Sequence, residues 1–222
     1  MSDTGPRLRT LNVWAKRERM CVAILERALQ LLRTEKNLPE SEVDLNRRLY
    51  FRLLEASREL YPADPVSPTQ ECNNQPDPDD ESRVVREHKR PDFQWVYLDK
   101  YEPDPNRSSK QFVVECKRLG SPLRADWIFN VNYVKHGISR FRDPVWGYAQ
   151  RFRSGAMVGY WQTMEGAQLL IEVNQEAGRT SLPDIVPAKP PLPNGHRLVH
   201  TFERSFPQSP FHLLHLWIDL RR

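Results

Sequence analysis

Residues Phe112 to Leu119 read FVVECKRL. Three apolar residues, two of them β-branched, lead into Glu115-Cys116-Lys117, which is the pattern of a strand running out of a core. Side chains of a strand alternate between its faces. Glu115 and Lys117 therefore project together, while Val114 and Cys116 face the other way. A carboxylate and an ammonium side by side at the end of a buried strand are costly unless they are paired or used. On residue type alone, the two are either a structural ion pair or a working one.

The neighbouring elements follow the same periodicities. Phe93 to Leu98 (FQWVYL) is aromatic and β-branched, Lys100 to Ser109 is rich in turn residues, and Gln111 to Lys117 completes a hairpin with a long loop. Upstream, residues 12–36 predict a helix with Trp14, Met20, Ile24, Ala28, Leu31 and Leu32 at helical spacing. A second helix starts near Ser41, a capping residue, with Glu42 in its first turn, and it ends before Pro62. Downstream, residues 125–152 mix helix and turns, Ala156 to Trp161 reads as a short buried strand, and Thr163 to Ala177 as a helix. After a proline-rich loop over 180–195, Arg197 to Phe202 and Phe211 to Leu220 predict the last strands. The order α-α-β-β-α-β-α-β-β predicts one α/β domain on a mixed sheet flanked by helices. Residues 1–38 form an N-terminal helical extension, and 39–222 the main domain.

Charge is distributed unevenly. Lys and Arg total 33 against 29 Asp and Glu, a formal +4, and 25 of the 33 are Arg. Residues 62–82 hold six acids, five prolines and no basic residue, and read as an extended or disordered loop, the core of an acidic proline-rich segment over 62–90. The rest carries 33 basic against 23 acidic residues, or +10. An arginine-biased surface suits phosphate, whose oxygens the guanidinium fork binds in pairs. No apolar run approaches the roughly 20 residues of a membrane span, and Met1 to Arg9 has no signal-peptide core. Three separated cysteines (Cys21, Cys72 and Cys116) make neither a disulfide framework nor a cysteine zinc site, and fit a reducing cytoplasm.

Acid-x-Lys occurs twice, at Glu115 and at Glu87, but only Glu115 follows an apolar β run. Pro-Asp occurs five times, and only Asp92 opens an aromatic strand, 23 residues before Glu115. With Glu42 as a helical acid, the set resembles the active site of the PD-(D/E)XK nuclease superfamily, the restriction-endonuclease-like fold. ECKRL resembles a frequent form of its motif in stand-alone bacterial nucleases of defence or mobile loci. Tyr133, Gly137, Ile138, Arg140, Phe141, Tyr148 and the run Met157 to Tyr160 resemble the helix and core strand that follow. The similarity spans roughly residues 40–220.

The resemblance implies a metal-dependent endonuclease acting on DNA, with Glu42, Asp92, Glu115 and Lys117 catalytic. Asp92, Glu115 and the Cys116 carbonyl would hold Mg²⁺ or Mn²⁺, for which oxygen ligands are suited. Lys117 would orient the attacking water or meet developing charge. Glu42 has a plainer reading as a first-turn acid that favours the helix dipole. Arg118, Arg124, Lys135, Arg140, Arg142, Arg151 and Arg153, interleaved with aromatic residues including Tyr148, suit backbone phosphates with some stacking, and Gln150 would face the site from a helix. An ordinary basic helix surface is the alternative. A non-catalytic nucleic-acid-binding or assembly subunit, or an RNase, of the same fold are the competing functions. The first helix is the candidate contact for a protein partner or a second copy. The acidic loop is expected to screen the basic groove. His196 and His200 would share one side of a strand, as a zinc pair requires, and no phosphate-loop, dinucleotide or nucleophile-elbow motif is present.

Overall fold

The computed structural model describes residues 6–221 except 78, 123, 125 and 207, with side chains from residue 13 onward. The stretch Met1 to Arg9 lies largely outside them. Helix α1 (Pro6–Thr34) leads into α2 (Glu42–Leu60). Ser41 caps α2 by accepting from the Asp44 amide, satisfying one of the orphan N–H groups of the first turn. Strand β1 (Thr69–Gln70) and the short helix α3 (Arg83–Glu87) precede the hairpin of β2 (Phe93–Leu98) and β3 (Ser109–Leu119). A helical stretch follows as α4 (Phe129–Tyr133), a π turn (Val134–Ile138) and α5 (Ser139–Arg142). Then come β4 (Ser154–Trp161), α6 (Gly166–Arg179), β5 (Val186–Pro187), β6 (Gly195–Phe202) and β7 (Phe211–Asp219).

The seven strands form one mixed sheet in the order β1-β2-β3-β4-β7-β6-β5. β3 and β4 are parallel, as are β4 and β7, and the other pairs are antiparallel. Helices cover both faces, as parallel pairing requires. On one face Phe112, Val114 and Cys116 pack with α1 and α2 through Ile24, Leu25, Leu29, Leu45, Leu49 and Leu53. On the other, Val113 and Leu119 pack with α4, the π turn, α5 and α6 through Tyr133, Ile138, Phe141 and Val173. The alternation expected of FVVECKRL is realised residue by residue.

Three sequence expectations change. The first helix begins at Pro6 rather than residue 12, and it is not an appendage: Trp14, Cys21, Ile24, Leu25, Ala28, Leu29 and Leu32 are all buried in the shared core. Its apolar stripe is therefore filled by this chain, which removes that stripe as a surface for a partner. The acidic segment is tied down. Thr69 and Gln70 pair with β2, Asn74 donates to the Trp146 and Gly147 carbonyls, and Asp77 accepts from Arg151 at 2.8 Å. Finally, Gln150 lies in a turn, not a helix.

Arg204 holds that turn region. Its guanidinium donates to the carbonyls of Phe141, Tyr148, Ala149 and Phe152 and stacks on Phe211, and burial lowers its pKa to about 9. Among the described residues, no helix is long and apolar enough to cross a membrane.

Candidate active site

The site forms where α2 begins, β2 begins and β3 ends. Glu115 and Lys117 lie on the same face of β3. Lys117 Nζ donates at 2.8 Å to Glu115 Oε1, at 2.8 Å to Glu42 Oε1 and at 2.7 Å to the Cys116 carbonyl. Arg140 of α5 also donates to Glu115 Oε1. Glu42 Oε2 accepts from the Arg118 amide at 3.3 Å, so the first acid of α2 closes over the end of β3.

Asp92 sits immediately before β2. Its Oδ2 accepts from the Cys116 amide at 2.6 Å, and its Oδ1 from Asn46 Nδ2 at 3.0 Å. Asn46 in turn accepts from Tyr160 Oη at 2.7 Å. Glu42 and Asn46 are four residues apart, one above the other on α2. A single helix face thus holds Lys117 with one residue and Asp92 with the next.

These groups are strongly desolvated. Glu115 is 0% and Lys117 8% exposed. Burial pushes Asp92 well above the usual carboxylate range, and the nearby Glu115 charge adds to this. Burial also raises Glu115, against the opposing pull of Lys117 and Arg140. Burial works against the Lys117 charge, but Glu115, Asp92 and Glu42 outweigh it and raise the ammonium above its ordinary value. Three carboxylates thus face two close cations, Lys117 and Arg140. Glu115 Oε2 is buried with no hydrogen-bond partner. Such an atom costs about 1–3 kcal/mol, and more when charged.

The backbone brings the second layer close. A Cβ on Gly137, in the π turn, would meet Met157 Cε at 2.5 Å and Lys117 Cγ at 3.3 Å. The helix therefore lies directly over the strand at the level of Lys117. Gly120 ends β3 at φ +138°, where a Cβ would stand 2.2 Å from Thr163 Oγ1.

An open cleft of about 540 Å³ leads to this cluster, lined by Ser41, Glu42, Lys117, Arg118, Trp127 and Arg140 among others. The structure thus brings together Glu42, Asp92, Glu115, Cys116, Lys117, Arg118 and Arg140. Arg124 stands on the loop beside the cleft, paired with Asp126 and bridged to Trp127. The other expected contacts are committed elsewhere. Lys135 pairs with Glu176, Arg142 donates to the Thr180 carbonyl, and Tyr148 is fully buried, with no face to offer a base. Arg151 is bound to Asp77 and the Ser109 and Pro76 carbonyls. Gln150 lines a separate cavity with Asp77 and Arg86. Lys117 pairs with Gly159 of β4, six residues beyond Arg153. At about 3.3 Å per residue, that places Arg153 roughly 20 Å away, at the opposite end of the sheet.

Asn46, Trp127, Phe129, Asn132, His136 and Gln162 were not singled out by the sequence. A polar residue within the apolar stripe of Leu45, Leu49 and Leu53 was the available signal for Asn46. His196 and His200 do share one side of β6, but they stand apart on it: His196 packs between Trp161 and Trp217, while His200 is buried against His215. Among the described residues, no group of three or more His, Cys, Asp and Glu is arranged to hold a metal ion. No family model, curated protein or solved structure matches the chain.

Proposed function

We propose that the protein is a metal-dependent nuclease with a restriction-endonuclease-like core, hydrolysing phosphodiester bonds of DNA. The observation that carries this reading is Glu115. It is fully buried beside Asp92 and Lys117, and one of its oxygens has no partner. Burial raises both Asp92 and Glu115, and a cation bound beside them would favour their charged forms. Asp92, Glu115 and the Cys116 carbonyl supply only oxygen donors, which fits Mg²⁺ or Mn²⁺ better than a soft metal. When bound, such an ion supplies Lewis acidity at the scissile phosphate and makes water a better nucleophile.

The chain's own groups do the rest. Asn46 and the Cys116 amide fix the Asp92 carboxylate. Lys117 keeps its proton and presents a positive charge where a phosphorane oxygen would develop, and it orients the attacking water. Arg118 and Arg140 line the approach and neutralise the substrate backbone. Action in bacterial defence is part of the proposal by analogy of motif alone.

A second reading, nucleic-acid binding without cleavage, is favoured by one observation. Glu115 Oε1 is already held by both Lys117 and Arg140, as in a purely structural ion cluster. Incubation with supercoiled plasmid in Mg²⁺, Mn²⁺ or EDTA separates the two. The nuclease reading predicts nicking or linearisation that EDTA abolishes and that falls at least about 100-fold in Asp92→Ala. Cleavage that survives both would sink the site assignment, and salt-sensitive binding without cleavage would favour the second reading.

A further inference from the structure

Part of the cleft lining is aromatic, from Trp127 and Phe129. Trp127 is 48% exposed and stands on the loop between β3 and α4. Next to it, the Arg118 guanidinium lies 4.3 Å from the centroid of the Phe129 ring. Gln162 Oε1 accepts from Arg118 Nε at 2.6 Å, so the guanidinium is held by both Phe129 and Gln162. Asn132 and His136 complete the wall between Phe129 and Arg140. An indole left half in solvent at the cleft is not serving the core, and a flat ring that lines the same cleft as a planar guanidinium is a surface for another flat ring.

A base inside a duplex has both faces covered by its neighbours. Only an unpaired or extruded base has a face free to stack on a protein ring, and such stacking is tolerant of sequence. The cleft volume of about 540 Å³ suits a single nucleotide. We propose that this cleft takes an unpaired nucleotide, its base stacking on Trp127 and its phosphate meeting Lys117, Arg118 and Arg140. The inference rests on the nuclease reading and specifies its substrate as single-stranded or locally unpaired nucleic acid, such as a flap, an end or a gap.

The test is fluorescence anisotropy in EDTA with a labelled 12-nucleotide single strand and the matching duplex, using the full chain. Trp127→Ala should weaken single-strand binding about tenfold, the scale of one base–aromatic stack, and change duplex binding less than twofold. Trp127→Phe should recover most of the loss, which a misfolded loop would not do. Equal losses on both ligands, or an undiminished single-strand affinity, overturn this proposal alone when wild-type protein still cleaves plasmid. Wild-type protein that binds neither ligand and cleaves nothing overturns the nuclease reading and this proposal with it.

Discussion

Lys110 and Lys117 stand seven residues apart on β3, and each is 8% exposed. An odd separation puts them on opposite faces of the sheet, and they lie toward its opposite ends. Lys110 has one acidic partner, donating to Glu102 Oε2 at 2.8 Å, with its ammonium near the Phe152 ring. Around it the charges pair off: Asp77 with Arg151, Asp79 with Arg107 and Asp80 with Arg86. Lys117 is different. It is surrounded by Glu42, Asp92 and Glu115, with Arg140 as the second close cation and one carboxylate oxygen left over. The same residue type at the same depth therefore has two meanings. One end of the strand is an electrostatically closed structure, and the other crowds three acids around one lysine, with burial raising Asp92 and Glu115. Folding alone does not require such crowding, since a buried ion cluster is at best weakly stabilising.

The difference can be broken first through stability. Glu115→Ala should cost about 1.5–3 kcal/mol in denaturant unfolding, because it takes a shared partner from the buried Lys117, which keeps Glu42, and from the part-exposed Arg140. Glu102→Ala at the other lysine should cost about 1 kcal/mol, since Glu102 keeps partial contact with water. Equal costs would mean that the two ends are the same kind of ion pair.

A third region sharpens the contrast by burying titratable groups without charge. His200 and His215 face each other across β6 and β7, with ring centroids 5.6 Å apart. Burial lowers His200 to about 4, against weaker opposing pulls from the Pro183 carbonyl and Asp184. Burial, with His200 adding to it, also lowers His215 well below its ordinary value. Both have folded-state pKa values below the unfolded value of about 6.5, so the unfolded chain takes up protons first as pH falls. Their contribution is fully present above pH 6.5 and is lost progressively toward pH 4. For His200 alone the loss is about 3 kcal/mol. Unfolding free energies measured between pH 7 and 4 should show this slope, reduced in His200→Gln. An unchanged slope would contradict the neutral pairing.

The smallest effect is expected from the acidic segment. Asp79→Asn removes an exposed, solvent-screened pair with Arg107 and should leave the unfolding midpoint essentially unchanged. It should raise DNA affinity slightly at low salt if the segment screens the basic surface, and an unaltered affinity would end that idea. Deleting the whole segment is the poorer test, because it would also remove β1 and the Asn74 contacts.

Much of this was legible in the chain. The period of two in FVVECKRL, the period of 3.6 around Leu45, Leu49 and Leu53, and the cap at Ser41 are local signals, and each holds in the structure. The convergence of Glu42 on Lys117 was expected through the resemblance rather than through spacing. What stayed hidden depends on long-range pairing. Nothing local places β7 between β4 and β6, or brings Asn46 to Asp92 and Tyr160. The basic run from Lys135 to Arg153 looked continuous because sequence carries no record of which end of a strand a residue reaches. Arg140 lies at the cleft while Arg153 lies at the other end of the sheet.

The most direct measurement is the initial rate of Mg²⁺-dependent cleavage of supercoiled plasmid by wild type, Lys117→Ala and Lys110→Ala side by side. Lys117→Ala should lose at least about 100-fold, and Lys110→Ala should stay within about twofold of wild type. Equal rates in all three proteins, or equal losses in both variants, would contradict this.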